Sequence, residues 1–188
     1  MIGVEPARAM LDLARISLCG KDVTWIVGDA LKLEAYNADF AIMTGHVAQF
    51  HLTDDYWANA LKSIHNSLHV GGFLSFESRN PDIQSWIKSW PSKVSPRSVV
   101  DSSAGEVKWW NQLLDIKDAV VRYEIHYLFI KSGEELVSLT TLRFRTEEEL
   151  SQSLVKAGFA IKNIYGDWDK SAITKESPEF IFVAQKIT

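Results

Sequence analysis

The chain opens MIGVEPARAMLDLAR, and no other stretch limits its possible folds as tightly. Met1 to Val4 form a short apolar run that ends in an acid, Glu5. Pro6 follows at a first helical turn, where its missing N–H leaves no bond unmade. Met10, Leu11, Leu13 and Ala14 then recur at helical spacing. A strand that ends in an acid and turns at once into a helix is the opening of a βα unit. The question is what stands beside it.

The rest of the chain extends the same pattern. Residues 7 to 18 fit an amphipathic helix closed by Gly20. VTWIV (23–27) is a β-rich run ended by GDA, and DFAIM (39–43) is another, ended by TGH. LKLEAYNA connects them. DDYWANALKSIHNSLHVGG places Trp57, Leu61, Ile64 and Leu68 on one helical face, with Asp54 or Asp55 in the first turn and Gly71 at the end. FLSFE (73–77) is the next strand. This order predicts a parallel α/β sheet.

After residue 80 the texture changes. SRNPDIQSWIKSWPSKVSPRS reads as helix and loop. EVKWWNQLLDI, AVVRYEIHYLFI and EELVSLTTLRFR, between 106 and 145, alternate polar and apolar residues. They predict an antiparallel sheet with one wet face, turning at KD and KSGE. Thr146 and Glu149 form a capping box for a helix that ends at Gly158. FAIKNIYG and FIFVAQKI are closing strands. At 188 residues the chain suits one domain in three parts, 1–80, 81–145 and 146–188.

Composition excludes several classes. A net charge of −4 with no run of Lys or Arg argues against sequence-independent nucleic-acid binding. The apolar runs are strand-length, so no membrane span is expected. Cys19 is the lone cysteine, which rules out an intramolecular disulfide and fits a reducing compartment. With no signal-type start, the cytoplasm is the expected location. Seven tryptophans suggest aromatic-lined surfaces or a dense core.

Three strand ends carry the chemistry: Glu5, Gly28-Asp29-Ala30 and Thr44-Gly45-His46. In an open parallel sheet, ligands bind beyond the carboxyl ends of the strands. A carboxylate such as Glu5 can accept from both hydroxyls of a ribose. Asp29 can accept from an adenine amino group. Small residues near Gly45 let a ligand approach the backbone. Each has a plainer alternative: an exposed acid, a turn former after Gly28, a satisfied loop histidine. Order and spacing together favour the ligand site.

Taken together, VEPARAMLDLAR, VGDA, DFAIMTGHVAQFHLTDDYWANALKSIHNSLHVGGFLSFESRNP, LTTLRFRTEEELSQSLVKAGF and YGDWD resemble the class I S-adenosylmethionine-dependent methyltransferases. The similarity is to a small-molecule type with an antiparallel insertion after the fifth strand. HVGG stands where that family usually has PGG. The resemblance implies an α/β, Rossmann-like methyltransferase sheet, N-terminally truncated. It implies that Glu5 and Pro6 meet the cofactor ribose, and that Gly28, Asp29 and Ala30 meet the adenine. Thr44, Gly45 and His46 would flank the methionine part, with Phe50 walling the pocket. His46 is the first candidate base and His51 the second. Arg79, Arg143 and Arg145 are candidates for an anionic acceptor, and Trp109, Trp110 and Trp168 for the walls of its pocket. No metal ligands are nominated.

The family's glycine-rich loop follows its first strand and should lie about 20 residues before the ribose acid. Only four residues precede Glu5, and no G-x-G occurs in the chain. In the class I strand order, 3-2-1-4-5-7-6, the first strand is central. The expectation is therefore that the second strand pairs directly with the fourth, or that a partner chain covers the open edges in a homodimer, by strand exchange or edge pairing. Three functional readings follow: a methyltransferase acting on a small-molecule acceptor, a related domain that binds or assembles without cofactor, and a small-ligand binding protein using the insertion as a cup.

Overall fold

The computed structural model describes residues 1–17, 20–101 and 103–188. Cys19 lies outside them. Strand β1 (Ile2–Glu5) and strand β2 (Thr24–Val27) pair in parallel, with Ile2 opposite Thr24 and Glu5 opposite Val27. Helix α1 (Arg8–Ile16) joins them and buries Leu11. It ends on the Ser17 N–H, which donates to the Ala14 carbonyl, before the Gly20 expected to close it.

Strand β3 (Ala38–Met43) leads through a 3-10 turn to helix α2 (Asp54–Ser67). Thr53 caps α2, and Asp54 and Asp55 sit in its first turn, as their affinity for free helical N–H groups dictates. The helix gives way to strand β4 (Leu68–Arg79) at Leu68, so Gly71, expected at the helix end, lies within the strand.

Residues 81–101 form a 3-10 turn, the short helix α3 (Ser85–Lys88) and a strand, β5 (Arg97–Asp101), that was not expected. Its RSVVD gains strand geometry by pairing with the next strand, a long-range contact invisible to local pattern. Strands β6 (Gly105–Lys117), β7 (Val120–Phe129) and β8 (Glu135–Arg143) complete a four-stranded antiparallel sheet. The β6–β7 turn uses Asp118 and Ala119, both with positive φ (51° and 62°), the signature of a type I′ hairpin. The inward face carries Val121, Tyr123, Leu142 and Phe144, packed with Trp86 and Trp90.

Helix α4 (Glu147–Lys156) carries the expected capping box, Thr146 with Glu149. Strands β9 (Phe159–Tyr165) and β10 (Glu179–Lys186) then complete a second four-stranded sheet in the order β3-β4-β10-β9. Helices α2 and α4 cover one face of it. Phe76 and Phe182 stack at its centre, 5.0 Å between centroids, and Trp57 meets Phe76 edge-on at 5.5 Å. The Trp57 indole N–H donates to Ser153 Oγ at 2.8 Å, which ties α2 to α4. Each such fully buried side chain contributes about 1.5–3 kcal/mol. On β3, Ala41 and Met43 face this core, while Phe40 and Ile42 are 52% and 60% exposed.

The two pieces, β2-β1 and β3-β4-β10-β9, follow the class I order on either side of its central place. Among the described residues β1 pairs as a strand only with β2, and β3 only with β4. The expected direct pairing of β1 with β3 is therefore not formed. The smaller sheet is held by the segment after β2 instead. Ala30 and Leu33 pack against the α2–α4 core, and the Tyr56 hydroxyl on α2 donates to Asp29. These side-chain contacts fix the smaller sheet without bringing the β1 backbone to β3.

Phe182→Ala is expected to cost about 3–5 kcal/mol in urea unfolding, because it opens a cavity at the stacked pair. Ile42→Ala on the uncovered face is expected to cost under about 1 kcal/mol. Equal losses would show that both faces of the sheet are core.

Candidate functional site

The carboxyl ends of β3 and β4 meet the start of β10, and three charged groups converge there. Glu77 and Arg79 close β4, and Glu179 opens β10 directly opposite Arg79. His46 lies beyond β3 in left-handed geometry (φ 61°, ψ 29°), after Gly45 at φ 78°. That conformation is costly for a residue with a side chain, so surrounding bonds must hold it. They do: the His46 backbone N–H donates to Glu77 Oε1 at 2.7 Å, and its Nε2 lies 2.6 Å from Glu179 Oε1.

The carboxylate only accepts, so in the neutral ring the proton belongs on Nε2 and the lone pair on Nδ1. Among the described residues Nδ1 has no hydrogen-bond partner. A carboxylate orienting an imidazole in this way makes a proton acceptor of its far nitrogen. The hydrogen bond from His46 holds the Glu179 carboxyl below its ordinary range, against the opposing effect of burial.

His46 and Glu179 border a cavity of about 810 Å³ between the two four-stranded sheets. Trp90, Trp109, Tyr123 and Tyr127 wall it, and Arg79 and Arg97 line it. Arg79 lies over the Trp90 ring, 5.9 Å from its centroid, and donates to Gln49 Oε1 at 3.0 Å. Arg97 lies over Trp109 at 5.7 Å.

Of the residues nominated from sequence, His46, Arg79 and Trp109 thus share this cavity. The others lie elsewhere. The Arg145 side chain is 3% exposed and donates to the carbonyls of His51 and Thr53 and to Asp54 Oδ1. It pins the start of α2, with its charge over Trp57. Arg143 sits beside Asp54 and Glu149. His51 is buried against Tyr56 and Trp57, and that burial lowers its pKa. Trp110 is buried and stacks on His126. Trp168 is 60% exposed and outside the cavity lining, but its side chain reaches Glu179 at the cavity edge and helps to lower that carboxyl.

The second group of nominated residues lines the strand ends of the smaller sheet. Glu5 Oε1 accepts from the Ala7 N–H at 2.8 Å, after the turn at Pro6. Asp29 follows Gly28 (φ 150°), and its Oδ1 accepts from the Leu31 N–H at the 3-10 turn begun by Ala30. Its Oδ2 takes the Tyr56 hydroxyl. Each carboxylate oxygen keeps a lone pair for a further donor. A Cβ placed on Gly45 would meet nothing within 4 Å, so space is open beside the His46 backbone. Thr44 and Phe50 are exposed on the same segment. Two carboxylates on adjacent strand ends and an open glycine suit a nucleoside with hydroxyl and amino donors.

Sequence reasoning missed Glu179, Glu77, Gln49, Trp90, Arg97, Asn111, Tyr123 and Tyr127. Glu179 and Glu77 read as ordinary strand-end acids, and only the antiparallel pairing of β10 with β4 brings them to His46. Asparagine and tyrosine on alternating strands carry no local mark of a cavity.

The Tyr56–Asp29 bond carries a pH signature. It lowers Asp29 below its usual 3.8 and raises Tyr56 above its usual 10. A lowered acid stabilises the fold above its unfolded pKa and loses that contribution as pH falls through the folded one. A raised phenol contributes below its unfolded pKa and loses its share as pH rises. Tyr56→Phe is therefore expected to destabilise the protein at pH 6, with the gap from wild type closing below about pH 4. A gap that persists at pH 2 in thermal unfolding would show the loss to be packing alone.

No protein-family model and no curated protein matches the sequence. Solved structures do. An S-adenosylmethionine-dependent methyltransferase from Clostridium acetobutylicum covers 100% of this chain and 75% of its own, with TM-score 0.82 and 14% identity. The CcbJ methyltransferase from Streptomyces caelestis covers 100% and 74%, with TM-score 0.80 and 17% identity. CalS10 from Micromonospora echinaspora, an amino pentose methyltransferase solved with S-adenosylmethionine bound, covers 98% and 73%, with TM-score 0.68 and 20% identity. The chain has the Rossmann-like, class I fold of these S-adenosylmethionine-dependent methyltransferases.

Proposed function

We propose that this chain serves methyl transfer from S-adenosylmethionine to a small-molecule acceptor held in the cavity beside His46. One observation carries the reading: His46 is fixed by two carboxylates where the row of strand ends meets the aromatic cavity. Glu5 and Pro6 are assigned to the ribose, and Gly28, Asp29 and Ala30 to the adenine. The Thr44–His46 backbone and Phe50 are assigned to the methionine end. The cofactor supplies an already activated methyl group on a sulfonium, so little covalent work is left to the protein.

Its residues orient the acceptor and exclude water. His46 Nδ1 takes the proton that the acceptor's nucleophile gives up, and Glu179 steadies the imidazolium that forms. The proposed setting is cytoplasmic, in keeping with a single cysteine. Among the described residues no helix is long and apolar enough to cross a membrane.

A second reading, a methyltransferase-like binding or assembly domain without cofactor, draws on the separation of β1 from β3. Calorimetric titration with S-adenosylhomocysteine decides between them. The first reading expects a Kd below about 100 μM, weakened about tenfold or more by Asp29→Ala. No heat at millimolar ligand would leave the second.

The free edges of β1 and β3 also support a homodimer by edge pairing or strand exchange. Light scattering at micromolar protein is expected to give twice the chain mass, and a monomeric mass would exclude it.

A further inference from the structure

The cavity holds donors without acceptors and acceptors without donors. Arg79 and Arg97 both line it, and among the described residues neither enters an ion pair. Each guanidinium carbon lies 5.9 Å (Arg79) or 5.7 Å (Arg97) from a tryptophan ring centroid, a cation–π contact that uses no N–H as a hydrogen-bond donor to an anion. Arg79 gives one N–H to Gln49 Oε1, a neutral acceptor. A partly buried guanidinium with so few partners is costly unless an anion completes it. Glu77 and Glu179 lie near enough to act on its charge, and burial still pulls its pKa down overall.

The unmet acceptors are Glu179 Oε2 and Asn111 Oδ1. Both atoms are buried without a hydrogen-bond partner of ordinary geometry, on residues that line the same cavity, although the Trp168 side chain lies near enough to Glu179 to help lower its pKa, so Asn111 Oδ1 is the clearer of the two. Buried oxygens of this kind are normally matched by a donor. Tyr123 and Tyr127 complete the aromatic walls, which suit a flat apolar body rather than a fully hydrated one.

We infer that the acceptor is a small aromatic or otherwise flat carboxylic acid bearing an amino or hydroxyl group. Arg79, with Arg97 at the rim, binds its carboxylate, and Glu179 and Asn111 receive its N–H or O–H bonds other than the one whose proton passes to His46 Nδ1. Arg79 and Glu179 are register partners across β4 and β10, with Cα atoms about 5 Å apart. The acid group and the nucleophile of the ligand are therefore close neighbours. This specificity rests on the cavity being the acceptor site of the proposed transfer, but its binding test needs no cofactor.

Ligand-observed NMR with the whole chain, without cofactor, tests it. The probes are benzoate, benzamide and benzylamine, equal in ring size and different in charge. Benzoate is expected to bind with low-millimolar affinity, benzamide and benzylamine at least about tenfold more weakly. Arg79→Gln is expected to abolish the preference for benzoate. Arg97→Gln, at an exposed position, is expected to reduce it several-fold with the fold intact. Binding of none of the three, preference for benzylamine, or a benzoate preference unchanged in both variants would overturn the inference. Failure to bind S-adenosylhomocysteine would count against methyl transfer and leave this result standing on its own.

Discussion

Leu74 lies opposite Ala184, Phe76 opposite Phe182, and Arg79 opposite Glu179 along the antiparallel pair β4–β10. The first two pairs sit in the hydrophobic core, and the third sits at the mouth of the cavity. Because side chains alternate along a strand, a slip of one residue would turn Phe182 to the uncovered face and take Glu179 away from His46. The packing of Phe76 on Phe182 is thus what sets the charged cluster. Burial of these rings under α2 and α4 gives the register its free energy, and the site inherits its geometry from a contact that touches no ligand.

From that register the rest of the site follows in steps. Glu77 reaches the His46 backbone and Glu179 its ring, which together hold a left-handed residue that would otherwise relax. Arg145 does a parallel service for the start of α2, where it gathers two backbone carbonyls and Asp54. With α2 so anchored, Tyr56 stands where it can bond Asp29. The smaller sheet is therefore positioned from the core outward, through side chains, even though its backbone makes no ladder with β3.

Much of this was legible in the sequence, for definite reasons. The strand–acid–helix opening, the capping box at Thr146 and the alternation of residues 106–145 are local signals, and local signals survive in the structure. His46 was legible because strand ends gather ligands in such sheets, and Arg79 as an arginine suited to an anionic acceptor. Arg143 and Arg145 were nominated by residue type, and His51 by its nearness in sequence to the expected methyl position. Nothing local distinguishes a buried guanidinium that binds carbonyls from one that faces a cavity. Strand β5 and Glu179 escaped notice because each owes its role to a partner distant in the chain. From the cost of an unpaired edge, either a direct pairing of β1 with β3 or a partner chain over the open edges was expected. The side-chain tie at Asp29 holds the small sheet without that ladder.

That tie has a thermodynamic consequence. Asp29 is both the bolt between the small sheet and α2 and a carboxylate assigned to the nucleoside. Any ligand that draws on Asp29 must share it with Tyr56 or displace it, so ligand affinity and the attachment of the β1–β2 unit are linked functions. By reciprocity, if attachment changes the affinity for such a ligand by some factor, the ligand changes the attachment equilibrium by the same factor. On the proposed assignment of Asp29, a substitution at Tyr56, which need touch no ligand, then alters binding from a distance.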